Sequence, residues 1–150
     1  MECLMKPTIN DQIAMYCNLL NEWYVAYEAY AKSMGLSNTA LDILTTIYEN
    51  PNFTQKEIAD SCLLPKQTVN AVVTAFLKDG WVTLEELPTD RRNKTVNLTA
   101  EGMTKAQEIM DKIHNCEVTA MSQLSESERE TLLKLTKRYI QNCSKAMSVE

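Results

Sequence analysis

Eight side chains in the middle of this chain have the types and spacing to grip and read a polyanionic double helix: Thr54, Gln55, Lys66, Gln67, Thr68, Asn70, Arg91 and Arg92. Gln67 and Asn70 carry paired donors and acceptors that match an adenine edge, and Lys66 suits guanine or a phosphate. Thr54 and Gln55 open a helix, where backbone amides without intrahelical partners suit a phosphate. Arg91 and Arg92 stand in a polar segment, Pro88 to Asn93, that reads as a hinge between two strands. At such a tip guanidinium groups reach a minor groove, whose negative potential attracts them. Asp90 is expected to hold an arginine in place, because a carboxylate near phosphates is repelled. The chemistry implied is recognition of double-stranded DNA.

Other chemistries find less support. The five cysteines (Cys3, Cys17, Cys62, Cys116 and Cys143) are scattered, form no C-x-x-C pair, and have only His114 as a nitrogen ligand. A zinc site or a disulfide framework is not expected. A Cys-His hydrolase would lack both a nucleophile motif and an orienting third group. Neither an enzyme nor a cofactor is therefore expected. Tyr16, Trp23, Tyr24, Tyr27 and Tyr30 are candidates to wall a pocket for a small apolar or aromatic effector, with helix packing as the plainer use of the same stripe. Cys17 is the candidate redox residue, expected to be a buried, inert thiol.

The elements that must position these groups are mostly helical. Three glycines and four prolines in 150 residues favour long helices, and 45% hydrophobic content supports a packed core. No apolar run approaches the roughly 20 residues that span a bilayer, and no leader is readable, so a cytoplasmic protein without a membrane partner is expected. The net charge of -5 argues against indiscriminate nucleic-acid binding. Leu36 to Gly102 holds six Lys and Arg against nine Asp and Glu, so any DNA contact must be local.

Ile9, Ile13, Tyr16, Leu20, Trp23, Tyr27, Tyr30 and Met34 alternate by four and three, predicting a first helix with more apolar surface than one small domain covers. A partner helix, and hence a homodimer, is implied. Ser37 should cap a second helix burying Leu41, Leu44 and Ile47, and Thr54 with Glu57 reads as a capping box for a short third. Pro65 should start a fourth, with the stripe Val69, Val72, Val73, Phe76 and Leu77. Two short helices across a tight turn form a helix-turn-helix pattern. Trp81 to Leu84 and Lys94 to Leu98 read as strands of a hairpin, the second alternating cleanly. Helical spacing returns from Ala100 through Ala106, Ile109, Ile113, Cys116 and Ala120. Ser125 and Glu128 form another capping box before a last helix with Leu132, Leu133, Thr136, Tyr139, Ile140, Cys143 and Met147.

Asp90-Arg91-Arg92, followed at a fixed distance by Leu98-Thr99 and Gly102, resembles the wing signature of MarR-family transcriptional regulators. Thr54-Gln55, Ile58-Ala59, Thr68-Val69, Gly80 and Val82 stand at the family's usual distances from it. The resemblance implies a mainly α protein with a small β-hairpin wing. Residues 36–100 would form a winged helix-turn-helix, and 8–34 with 103–148 a helical dimerisation region. It further implies a regulator that binds an inverted-repeat operator, a repressor released by a small ligand or by oxidation. The chain departs from the family at Ala71 and Leu84, where arginine is frequent, and at Leu63, where a turn glycine is common. Ile13, not Cys17, aligns with the sensing cysteine of the peroxide-responsive members, and Asn38 stands where they carry a tyrosine. Besides a redox-sensing regulator, the residues leave open a helical protein-interaction adaptor of winged-helix shape.

Overall fold

The computed structural model describes residues 6–87 and 90–148, without the side chains of Leu87 and residues 90–93. Its elements are α1 (Ile9–Ser33), α2 (Asn38–Glu49), α3 (Gln55–Cys62), α4 (Lys66–Lys78), β1 (Val82–Leu87), β2 (Asp90–Leu98), α5 (Ala100–Ser122) and α6 (Glu126–Met147). They divide into two compact units, Met1–Gln107 and Glu108–Glu150. Among the described residues no helix is long and apolar enough to cross a membrane.

Local chemistry accounts for the helix starts. Thr54 accepts the Glu57 amide at 3.3 Å while its own amide donates to the Glu57 carboxylate at 2.7 Å. The same reciprocal box recurs at Ser125 with Glu128, and at Thr8 with Asp11, which opens α1. Ser37 caps α2, and Glu28 reaches across from α1 to accept the Asn38 amide at 3.1 Å. Pro65 lies one position earlier than a first helical residue: it is the N-cap of α4, with φ -59° and ψ 139°. The turn before it is made by Leu63, which ends α3 in the left-handed conformation at φ 55°.

In the first unit, Leu41, Ile43, Leu44 and Ile47 of α2 are buried with Ile58 and Ala59 of α3, Val69, Val73 and Phe76 of α4, and Val82 and Val96 of the hairpin. Phe76 stacks on Trp81 at 5.3 Å between ring centres. Leu77 departs from the expected stripe and is exposed, because it follows Phe76 by one residue and so turns about 100° off the buried face.

The hairpin is antiparallel and longer than its alternation predicts, with pairs running from Val82 opposite Leu98 to Glu86 opposite Lys94. Beyond Glu86 the register shifts and Leu87 pairs with Asp90. The expected hinge from Pro88 to Asn93 is thereby corrected: only residues 88–89 separate the strands, and Arg91, Arg92 and Asn93 belong to β2 as a bulge. The clean alternation of β2 also fails, since Thr95 and Val96 are both buried. The cause is a third, strand-like rung. Val96 donates its amide to the Phe53 carbonyl at 2.8 Å, and Thr54 bridges Thr95, so β2 is covered on its outer edge.

The second unit holds the rest of α5 and all of α6. No residue of α6 is buried. Leu132, Leu133, Leu135, Tyr139, Ile140 and Met147 are exposed along it. On α1, Ala31 is buried, whereas Ile9, Ile13, Leu20, Trp23 and Tyr24 are exposed.

Candidate nucleic-acid interface

Three elements converge on one concave surface. The rung from Phe53 to Thr54 pins the start of α3 against β2, and the three-residue turn after Cys62 brings the start of α4 alongside. The resulting groove, about 530 Å³, is lined by Thr54, Gln55 and Lys56 of the α3 start, Lys66, Gln67 and Asn70 of α4, Leu84 of β1 and Lys94 of β2. Seven of these eight side chains are polar, and three of the seven are lysines. The domain's acidic balance thus coexists with a locally cationic concavity, which is what phosphate affinity depends on.

Of the residues expected to touch DNA, the groove collects Thr54, Gln55, Lys66, Gln67 and Asn70. Lys66, Gln67 and Asn70 are exposed, and Thr68 is half-buried and outside the lining. Asp90, Arg91 and Arg92 lie on β2, and their side chains fall outside the described residues. Sequence reasoning missed two lining cations, Lys56 and Lys94. Lys56 could have been found from the helix period at the capping box. Lys94 could not, because its place depends on the hairpin register.

The electrostatics of the groove's edge are set by capping. The Thr54 backbone amide, and then the Thr54 hydroxyl, hold the Glu57 carboxyl below its ordinary range, so Glu57 stays ionised at the start of α3. Its charge is committed to the helix end. The candidate effector residues lie elsewhere on α1. Trp23 and Tyr24 are exposed, Tyr16, Tyr27 and Tyr30 are half-buried, and Trp23 meets Tyr27 edge-on at 4.9 Å. Cys17 is exposed on the same helix, correcting the expectation of a buried thiol. With Tyr16 only half-buried beside it and Asn18 exposed, nothing in this stretch of α1 covers the thiol.

Two helices joined by a tight turn, followed by a hairpin and a groove lined by all three, define a winged helix-turn-helix. Residues 34–93 match the model of the MarR family. The Escherichia coli protein described as transcriptional repressor MprA is 28% identical over 111 residues, a match spanning 73% of this chain and 63% of that relative's length. A probable transcriptional regulator from Pseudomonas aeruginosa, 25% identical, superposes with a TM-score of 0.70 over 88% of this chain and 99% of that one. The Staphylococcus aureus MepR–DNA complex gives 0.73 at 19% identity, covering 91% of this chain and 99% of its counterpart. The match to the MarR family model falls on the winged-helix segment of this chain.

Proposed function

We propose that this chain is a dimeric, sequence-specific DNA-binding transcriptional regulator of the repressor kind, released from its operator by a small apolar or aromatic ligand. One observation carries the DNA reading: Lys56, Lys66 and Lys94 converge with Gln55, Gln67 and Asn70 in a single groove at the start of α4. The lysines meet phosphates while Gln67 and Asn70 reach base edges in the major groove. Arg91 and Arg92 would extend the contact into the flanking minor groove. The repressor name of the E. coli relative and the DNA-bound state of S. aureus MepR support the same reading.

Residues 36–100 serve as the reading head, and 8–34 with 103–148 as the dimer-forming part. Exposed apolar positions on α1 and along α6 support a second copy as their cover. A dimer presents two α4 helices to half-sites about 10 bp apart, so the operator is an inverted repeat. Selection from random duplexes tests the reading: enrichment of an inverted repeat supports it, and a winged-helix adaptor without DNA contacts would enrich nothing.

A second mode of release has one observation in its favour, the exposure of Cys17. Oxidation there predicts that peroxide abolishes DNA binding and a thiol reductant restores it. Cys17→Ser separates the two modes, since it removes a peroxide response and spares a ligand response.

A further inference from the structure

The three lysines of the groove are not equivalent. Among the described residues neither Lys56 nor Lys66 is ion-paired, whereas Lys94 Nζ lies 3.9 Å from Glu86 Oε1. Glu86 and Lys94 are cross-strand partners, the last regular pair of the hairpin before the register shifts. Glu86 is two residues beyond Leu84, and alternate residues of a strand share a face. The carboxylate therefore stands on the face of the hairpin that presents Leu84 and Lys94 to the groove. Glu85 occupies the opposite face, with its carbonyl accepting the Thr95 hydroxyl at 3.4 Å.

We propose that Glu86 tunes duplex binding by competing with a backbone phosphate for the Lys94 ammonium. The inference rests on the duplex-binding reading of the groove. Lys94 and Glu86 are about half exposed, at 47% and 57%, so their pairing is weak enough for a phosphate to displace yet opposes every duplex that enters. A lysine suits this exchange: its ammonium is a compact charge on a flexible stem, free to swing between two acceptors. The opposition is blind to sequence, because neither group reads a base edge. Glu86 thus lowers the affinity for right and wrong duplexes by one factor. Wrong sites fall out of the working range, while the operator, held also through Gln67 and Asn70, stays within it.

The test is a double-mutant cycle on the full chain, read by fluorescence anisotropy at about 50 mM salt, where surface charges are least screened. The probes are a duplex enriched by the wild type from a random pool and a scrambled duplex of equal length. Glu86→Gln is expected to tighten both by about two- to fivefold. In a Lys94→Gln background the same change is expected to do nothing, and Glu85→Gln, which removes an equal charge from the other face, should have the smaller effect. The proposal is overturned if Glu86→Gln leaves affinity unchanged, if its effect survives in Lys94→Gln, or if Glu85→Gln matches it. A wild type that binds no duplex and enriches none would remove the reading of the groove, and this inference with it.

Discussion

Gly102 lies against the backbone of Trp81 so closely that no side chain fits between them. A Cβ on Gly102 would collide with the Trp81 carbonyl oxygen and stand 2.7 Å from its carbon. The approach is held by Thr99, whose hydroxyl accepts the Gly102 amide at 2.9 Å and donates to the Gly80 carbonyl at 2.7 Å. The Thr99 amide in turn donates to the Trp81 carbonyl at 2.9 Å. The start of α5 is thereby fastened to the junction of α4 and β1, and the spacing of Thr99 and Gly102 in the wing signature acquires a steric reason.

Gly102→Ala should accordingly be costly although alanine is the better helix former. The obstacle is backbone, not a side chain that can swing away, so a loss of about 3 kcal/mol is expected. Thermal unfolding followed by circular dichroism should show a midpoint lower by roughly 10 °C. An unchanged midpoint would contradict the close approach.

Leu63 presents the opposite case. At φ 55° its backbone adopts a conformation that disfavours a Cβ, and its side chain is 91% exposed, so little packing is lost on removing it. Relief of strain outweighs the added freedom of the unfolded chain, and Leu63→Gly should gain about 0.5 kcal/mol in urea melts. Leu63→Val, branched at Cβ, should lose stability.

The capping carboxylates give stability a pH dependence of known sign. The Thr54 amide and hydroxyl lower the folded-state pKa of Glu57 below its ordinary 4.5, and the Ser125 hydroxyl and amide do the same for Glu128. The folded state then binds protons less readily than the unfolded one. The contribution is complete above about pH 4.5 and fades as the pH falls through the lowered values. Melts across this window should show a smaller acid-induced drop in midpoint for Glu57→Gln than for wild type. Thr54→Ala removes the cap itself and should cost about 1 kcal/mol at neutral pH.

Within the groove, charge and base reading should separate. Lys56→Ala or Lys66→Ala is expected to weaken binding to all duplexes alike and to reduce the salt slope by about one. Gln67→Ala or Asn70→Ala should instead shift the sequence enriched from random duplexes. Identical enriched sequences from wild type and Gln67→Ala would remove its base-reading role.

The dimer reading makes a concentration-dependent prediction. Sedimentation equilibrium at micromolar protein should return twice the 17.1 kDa chain mass. Leu20→Glu on α1 or Ile140→Glu on α6, each now exposed in the single chain, should shift the mass towards the monomer, since a covered carboxylate without a partner is strongly disfavoured. Persistence of the dimer in both variants would place the interface elsewhere.

Much of the helical framework was legible without coordinates, because the interactions that define it are local. Ser37, Thr54 and Ser125 cap helices through amides at most three residues ahead, and the apolar period of α2 and α4 is a property of one helix face. Gln67 and Asn70 could be expected to lie together on the exposed side of α4, because residues three apart on a helix share a face. What tertiary structure decided are relationships between segments far apart in the chain. Lys56, Lys66 and Lys94 meet only because the rung at Phe53 and Thr54 fastens α3 to β2, and that rung also buries Thr95 against its alternation. The same register puts Arg91 and Arg92 in a bulge of β2 and sets Lys94 opposite Glu86. A hairpin's pairing depends on both strands at once and shifts wherever a bulge intervenes, so it is not contained in the pattern of either strand alone.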